Sequence, residues 1–202
     1  MKNLNNITLC CVDCIDTKRA LRALINSSRN LKFNSIKLLT DKTANYPEIE
    51  TVRIPYLCSK QEYSDFVLKD LYQYIDSDFV ILVQWDGWIV NHRAWTDEFL
   101  DYDYIGAPWP WDHIVGNGGF SLRSKKLLKT TKDFNFEHSL NEDHMICRTY
   151  RKEFEDLGIK FASYEIASKF SVENGDYNGS LGFHSTAVIP SIKNWFKNET
   201  TF

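Results

Sequence analysis

The chain has 202 residues, 43% hydrophobic and 25% charged, with a net charge of −3 and a pI near 6.0. It is long enough to bury a core without staples, and one domain spanning 1–202 is expected. The charge balance argues against a nucleic-acid or anionic-membrane binder. Aromatic content is high at 14%, and Trp85, Trp88, Trp95, Trp109 and Trp111 crowd one stretch, either filling a core or offering a sugar-stacking surface. The five cysteines (Cys10, Cys11, Cys14, Cys58, Cys147) are odd in number and irregularly spaced, which does not suggest a disulfide framework. Cys11 and Cys14 form a C-x-x-C without a second pair, a weak signal for zinc or redox chemistry. A reducing, cytoplasmic compartment is expected. Met1 to Asn6 is polar, unlike a signal peptide, and no apolar run approaches the roughly 20 residues of a membrane span.

In chain order, Ile7 to Val12 reads as a first strand with Asp13 at its C-terminal end. Thr17 is placed to cap a helix to about Ser28, with Leu21, Leu24, Ile25 and Ser28 on one face. Ser35 to Leu39 is a second strand, closed by Thr40-Asp41, and Thr51 to Ile54 a third, closed by Pro55. Ser59 opens a helix with Glu62 in capping-box position and a stripe of Tyr63, Phe66, Val67, Leu71, Tyr74 and Ile75. Phe79 to Val83 is five apolar residues, a buried strand ending in Gln84-Trp85-Asp86-Gly87. Such alternation implies a mostly parallel sheet with helices on its faces. Neither a G-x-G-x-x-G nor a G-x-x-x-x-G-K-[ST] loop is present.

The second half reads differently. Trp95 to Leu100 is short and helical, and Tyr104 to Trp109 is a strand running into a turn. Val115 to Arg123 is a glycine-rich loop entering a strand, and Ser124 is placed to cap a helix around Leu127 and Leu128. Glu142 to Leu157 reads as one helix, with Ile146, Tyr150, Phe154 and Leu157 on a face and Gly158 as its stop. Lys160 to Ser163 and the residues around Ile166 read as short strands. Glu173 to Gly182 is a polar loop, and the tail from Pro190 to Phe202 is weakly amphipathic through Ile192, Trp195 and Phe196, a face expected to pack on its own domain.

Four features bear on chemistry. Asp86 sits at a strand tip, where open α/β sheets place ligand groups; it fits a hard divalent cation or an Asx-turn before Gly87. Gly116-Asn117-Gly118-Gly119-Phe120 allows close backbone approach to a ligand, or a flexible turn. Asn141-Glu142-Asp143-His144 puts acids at a helix start, where they suit the macrodipole or supply a general base. His184, in Gly182-Phe183-His184, is a lone imidazole that is either structural or a metal ligand.

Taken in order, these features resemble the GT-A fold of nucleotide-sugar-dependent glycosyltransferases, over about Ile7 to His184. Gln84-Trp85-Asp86 looks like that family's D-x-D with Gln for the first acid. Gly118-Gly119-Phe120 looks like its acceptor loop, Asn141-Glu142-Asp143 like its x-E-D motif, and His184 like its C-terminal metal-binding His. Asp101 to Trp109 and Val115 to Arg123 resemble a small subgroup of bacterial and viral polysaccharide loci. The resemblance implies a single GT-A-like (Rossmann-like) α/β domain, its nucleotide-binding half about 7–90 and its acceptor half, a smaller mixed region, about 91–190. It implies hexosyl or deoxyhexosyl transfer, with inversion, from a nucleoside-diphosphate sugar, UDP-linked in the first place, to a glycan acceptor in polysaccharide or glycoprotein glycan synthesis. Asp86 and His184 would hold Mn²⁺ or Mg²⁺, and Asp13, Thr40, Asp41, Gln84 and Trp85 would face the donor with Asp86. Asp143 would act as base, with Glu142 positioning an acceptor hydroxyl or Asp143 itself, and Trp109, Gly118, Gly119 and Phe120 would frame the acceptor. A non-catalytic carbohydrate- or nucleotide-sugar-binding module on a degenerate GT-A fold is the alternative, because of Gln84. A nucleotidyltransferase or phosphohydrolase would be expected to cluster more acids at its strand tips.

Overall fold

The alternation of apolar residues along the first strands determines which face each helix covers. In the computed structural model, which describes residues 2–112, 114–137 and 140–199, β1 (Lys2–Val12) lies between β2 (Leu31–Thr40) and β4 (Phe79–Val83), parallel to both. Beyond β2 lies β3 (Glu50–Arg53), also parallel. Leu9 and Cys11 point to the face covered by α1 (Thr17–Ser28) through Ala20, Ala23 and Leu24. Cys10 and Val12 point to the other, where Phe66 and Val67 of α2 (Lys60–Lys69) and Leu128 of α3 (Lys125–Asp133) pack. Both faces are covered, as a parallel sheet requires.

Past β4 the sheet turns antiparallel. β7 (Phe120–Ser124) pairs with β4, and β6 (Tyr104–Ile105) pairs with β7, giving the order β3-β2-β1-β4-β7-β6. A second, three-stranded sheet has the order β5-β9-β8, from β5 (Gly87–Ile89), β8 (Ser171–Val172) and β9 (Gly182–His184). The mostly parallel α/β reading therefore holds, with the smaller mixed sheet attached at the tip of β4.

Several local expectations are corrected. β1 starts at Lys2, five residues earlier than read, because its polar start pairs with Leu31 to Phe33 before a register shift. Asp16, not Thr17, caps α1 by accepting from the Arg19 amide at 3.1 Å. The Ser59 cap of α2 is present, but Glu62 reaches back to the Cys58 amide rather than to Ser59. The segment at Trp95 to Leu100 is a 3₁₀ turn over Asp97–Asp101. The helix expected from Glu142 to Leu157 is broken: α4 (Glu142–His144) runs into a π-helical turn (Met145–Thr149), closed by Tyr150 N–H onto Met145 O at 3.0 Å, before α5 (Arg151–Asp156). Lys160 to Ser163 contributes only an isolated bridge at Phe161. Ile166 lies in a helix, α6 (Tyr164–Phe170): Ser163 caps it, and Ile166, Ala167 and Phe170 are buried at helical spacing.

The tail forms α7 (Ile189–Glu199) and packs Ile192, Trp195 and Phe196 around Tyr177 and Val188; its last expected residues, Thr200 to Phe202, lie outside the described residues. Among the described residues no helix is long and apolar enough to cross a membrane. All five cysteines are free thiols, and burial pushes those of Cys10 and Cys11 up.

Candidate functional site

A cleft of about 760 Å³ opens at the C-terminal tips of β1 and β4. One wall is made of strand-tip loops. Asp13 ends β1 and accepts the amides of Ile15 and Asp16, both at 2.7 Å, which turns the chain into α1. Gln84 and Trp85 end β4; Trp85 is 37% exposed, and the Arg19 guanidinium lies 4.8 Å from its ring centre. Lys60 and Tyr63 of α2 reach the same cleft. The Tyr63 hydroxyl is buried next to Gln84, and burial together with Glu142 holds it in its protonated form.

The opposite wall is the turn Asn117-Gly118-Gly119. Asn117 has a left-handed backbone, φ 54°, which Asn tolerates better than most residues. The two glycines are required for a different reason. A Cβ on Gly118 would overlap Glu142 Oε1, and one on Gly119 would overlap the His184 ring. Only bare backbone lets both side chains come this close. The turn also ties the walls together, since Gly119 O accepts from the Gln84 amide at 2.9 Å.

The adjacent acids, Glu142 and Asp143, have different surroundings. Glu142 is 4% exposed, and its Oε1 accepts from Arg123 Nη2 at 2.8 Å; Arg123 is 1% exposed. Arg123 Nε donates to Ser121, whose hydroxyl donates to Gly118 O. Burial raises the Glu142 carboxyl, Arg123 pulls it back and Asp143 raises it again; the net direction is upward. Asp143 has Oδ2 on the Gly118 amide at 3.0 Å and Oδ1 on the His144 amide at 2.7 Å, and it lines the cleft. A carboxylate fixed by two backbone donors is aimed without a charged partner.

Asp86 lies behind the cleft surface. Its Oδ1 is 3.2 Å from His184 Nε2; both atoms are buried, yet they are not aligned in a hydrogen bond. On the other side of the ring, Nδ1 meets Asn117 Nδ2 at 3.1 Å and Glu173 Oε1 at 3.4 Å. Burial disfavours a charged imidazole, but Asp86 and then Glu173 outweigh it and raise His184 to about 9. Carboxylates that favour a proton here also favour a cation competing for the same nitrogen. Two ligands on adjacent octahedral vertices of Mg²⁺, at about 2.1 Å from it, lie about 3 Å apart. The unaligned pair therefore fits two coordination positions, and Glu173 behind Nδ1 fits the orienting carboxylate of a metal-bound histidine. Among the described residues no group of three or more His, Cys, Asp or Glu is arranged to hold a metal on its own, so such an ion would need oxygens from its ligand.

Some expected site residues lie elsewhere. Phe120 is 0% exposed and stacked on Phe170 at 5.0 Å, and Trp109 is buried beneath Gly116. Neither has a free face to offer an acceptor sugar. Thr40 is buried, with its hydroxyl on the Lys42 amide, and it and Asp41 do not line the cleft. Conversely, Glu173, Arg123, Arg19 and Tyr63 belong to the site without having been expected there, and Asn117, named only as part of the glycine-rich loop, contacts His184. Glu173 comes level with His184 through the parallel pairs Ser171–Gly182 and Val172–Phe183, a register that strands of two and three residues do not announce in sequence.

The family model described as "Protein of unknown function (DUF5672)" matches residues 47–184, most of the chain, and the chain belongs to that family. No curated protein matches it in sequence. Among solved structures it is similar to an active-site mutant of LgtC, at 11% identity and a TM-score of 0.51, over 89% of this chain and 87% of that one. It is also similar to the mannosyltransferase PcManGT from Pyrobaculum calidifontis in complex with GDP-Man and Mn²⁺, at 10% identity and a TM-score of 0.49. That match covers 78% of this chain and 54% of the mannosyltransferase, so the chain spans about half its length. The chain thus shares the fold of LgtC.

Proposed function

We propose that this protein is a glycosyltransferase that moves a hexosyl or deoxyhexosyl group from a nucleoside-diphosphate sugar to a glycan hydroxyl, with inversion. One observation carries the reading: the turn Gly118-Gly119 holds Asp143 on the Gly118 amide and seats His184 against Gly119. A fixed carboxylate and a cation-ready pair thereby flank one cleft at the tips of parallel strands, where such sheets bind ligands. The fold likeness supports the same class.

Asp86 and His184 would hold Mn²⁺ or Mg²⁺, with Glu173 orienting the imidazole. When bound, the ion neutralises charge on the departing diphosphate. Asp143 takes the proton of the acceptor hydroxyl as that oxygen bonds to the anomeric carbon. The bond from that carbon to the diphosphate breaks, and its electron pair leaves with the diphosphate. Glu142 also lines the cleft but is 4% exposed and paired with Arg123, and it fixes the helix start that aims Asp143. Asp13, Gln84 and Trp85 belong to the donor side, with Arg19 and Lys60 as the cations nearest a diphosphate. In this reading the chain is one domain with a nucleotide half of about 7–90 and an acceptor half of about 91–190. It uses a UDP-sugar in the cytoplasm for polysaccharide or glycoprotein glycan synthesis, as a member of the polysaccharide-locus subgroup.

A thermal-shift screen of nucleotide sugars with and without Mn²⁺ tests donor and cation together: stabilisation is expected only with both. Asp143→Asn should lower turnover at least about 100-fold, within the range for loss of a general base, while metal-dependent donor binding persists. Near-normal turnover of that variant would remove Asp143 from the mechanism.

A further inference from the structure

A second cavity of about 780 Å³ lies on the other side of α1, walled by α1, β5 and α7. Its floor is apolar: Leu21, Ile25, Trp88, Val90 and Phe196 are half-buried, and Ile89 and Ile192 are buried. Along its rim stand Lys18, Arg22 and Arg29, all exposed. Lys18 and Arg22 lie one turn apart on α1, and Arg29, the extended residue just after its last turn, lines the same cavity. No carboxylate lines the cavity, and among the described residues none of the three cations forms an ion pair. Some exposed cations elsewhere on the chain do pair, as Arg19 does with Asp16 and Lys152 with Asp156.

We propose that this groove binds a phosphate-headed lipid, with the headgroup on the Lys18–Arg22–Arg29 row and an acyl chain along the Leu21, Ile25, Trp88 and Phe196 floor. Charge complementarity specifies an anionic head, and a half-buried apolar floor with an indole edge specifies a hydrocarbon body beneath it. The volume falls in the range of about 300–1,000 Å³ typical of single-molecule pockets, which favours an amphiphile over an acidic peptide lying across the surface. The net charge of −3 averages this face away; recognition depends on the local row. The inference stands apart from the reading of the catalytic cleft, because none of the three cations lines that cleft.

Co-sedimentation of the full chain with vesicles tests it. Binding is expected to phosphatidylglycerol–phosphatidylcholine vesicles and not to pure phosphatidylcholine, weakening as salt rises. Arg22→Glu with Arg29→Glu should cut binding by at least about tenfold, with an unchanged melting temperature and unchanged nucleotide-sugar thermal shifts. Phe196→Ser should weaken binding while the cation row is intact. Equal binding to neutral vesicles, or indifference to the charge reversals, would overturn the proposal. So would full displacement by inorganic phosphate alone, which means a free-anion site, or preferential capture of poly-glutamate, which means an acidic protein partner.

Discussion

The two walls of the strand-tip cleft are built on opposite principles. The strand-tip wall consists of side chains that satisfy themselves locally: Asp13 accepts its own loop's amides, and Arg19 lies over Trp85. The glycine wall consists of groups that fit only because their neighbours leave no room for anything else, with Glu142 against Gly118 and His184 against Gly119. The first wall can adapt to its ligand; the second is pre-set. Preorganised groups belong where charge develops during reaction, and adaptable ones where substrates are sorted.

Three substitutions break or sharpen that contrast. Arg123→Met should have the largest effect, because it leaves Glu142 buried and unpaired; a loss of about 3–5 kcal/mol is expected, measured by urea unfolding. Adding Glu142→Leu should recover most of that stability without restoring turnover, which would separate the fold's need for the pair from the site's. Gly119→Ala comes next. Its methyl group must displace the His184 ring, at about 1–3 kcal/mol as an overpacking change, and metal-dependent donor stabilisation should disappear in the thermal-shift assay. If that stabilisation survives, His184 is not a ligand. Trp85→Ala should be the mildest, within about 0.5 kcal/mol in stability as an adaptable surface change, with a raised donor KM and little change in kcat. A large loss of stability there would erase the distinction between the walls.

How far each wall could be read from sequence follows from the same contrast. β4 runs from Phe79 to Val83 as the apolar run indicates, and Asp13 and Gln84 fall at strand tips because parallel strands announce themselves by buried, uninterrupted hydrophobicity. The glycine wall depends on contacts between distant segments. That Gly118 leaves space for Glu142, or that Arg123 ends inside the protein on a carboxylate, has no local signature. Short elements failed for a related reason: β5 has three residues and too little alternation to detect, and Ile166 sits in a seven-residue stretch where apolar spacing serves a strand or a helix equally. An acceptor-framing role for Trp109 and Phe120 rests on the resemblance; in the structure Gly116 and Gly182 admit these rings into the core.

The π-helical turn at Met145–Thr149 acts as a phase shifter. One additional residue in a helix rotates everything after it by about 100° relative to what came before. Phe154, on α5 beyond the turn, is buried in the core, whereas Leu157 lies past the end of α5 at Asp156 and is 56% exposed. The segment thus serves two orientations at once, one that points Asp143 into the cleft and one that seats Phe154 in the core. The aim of Asp143 and the anchoring of Phe154 are set on either side of one π-helical turn, so either can be retuned without unseating the other.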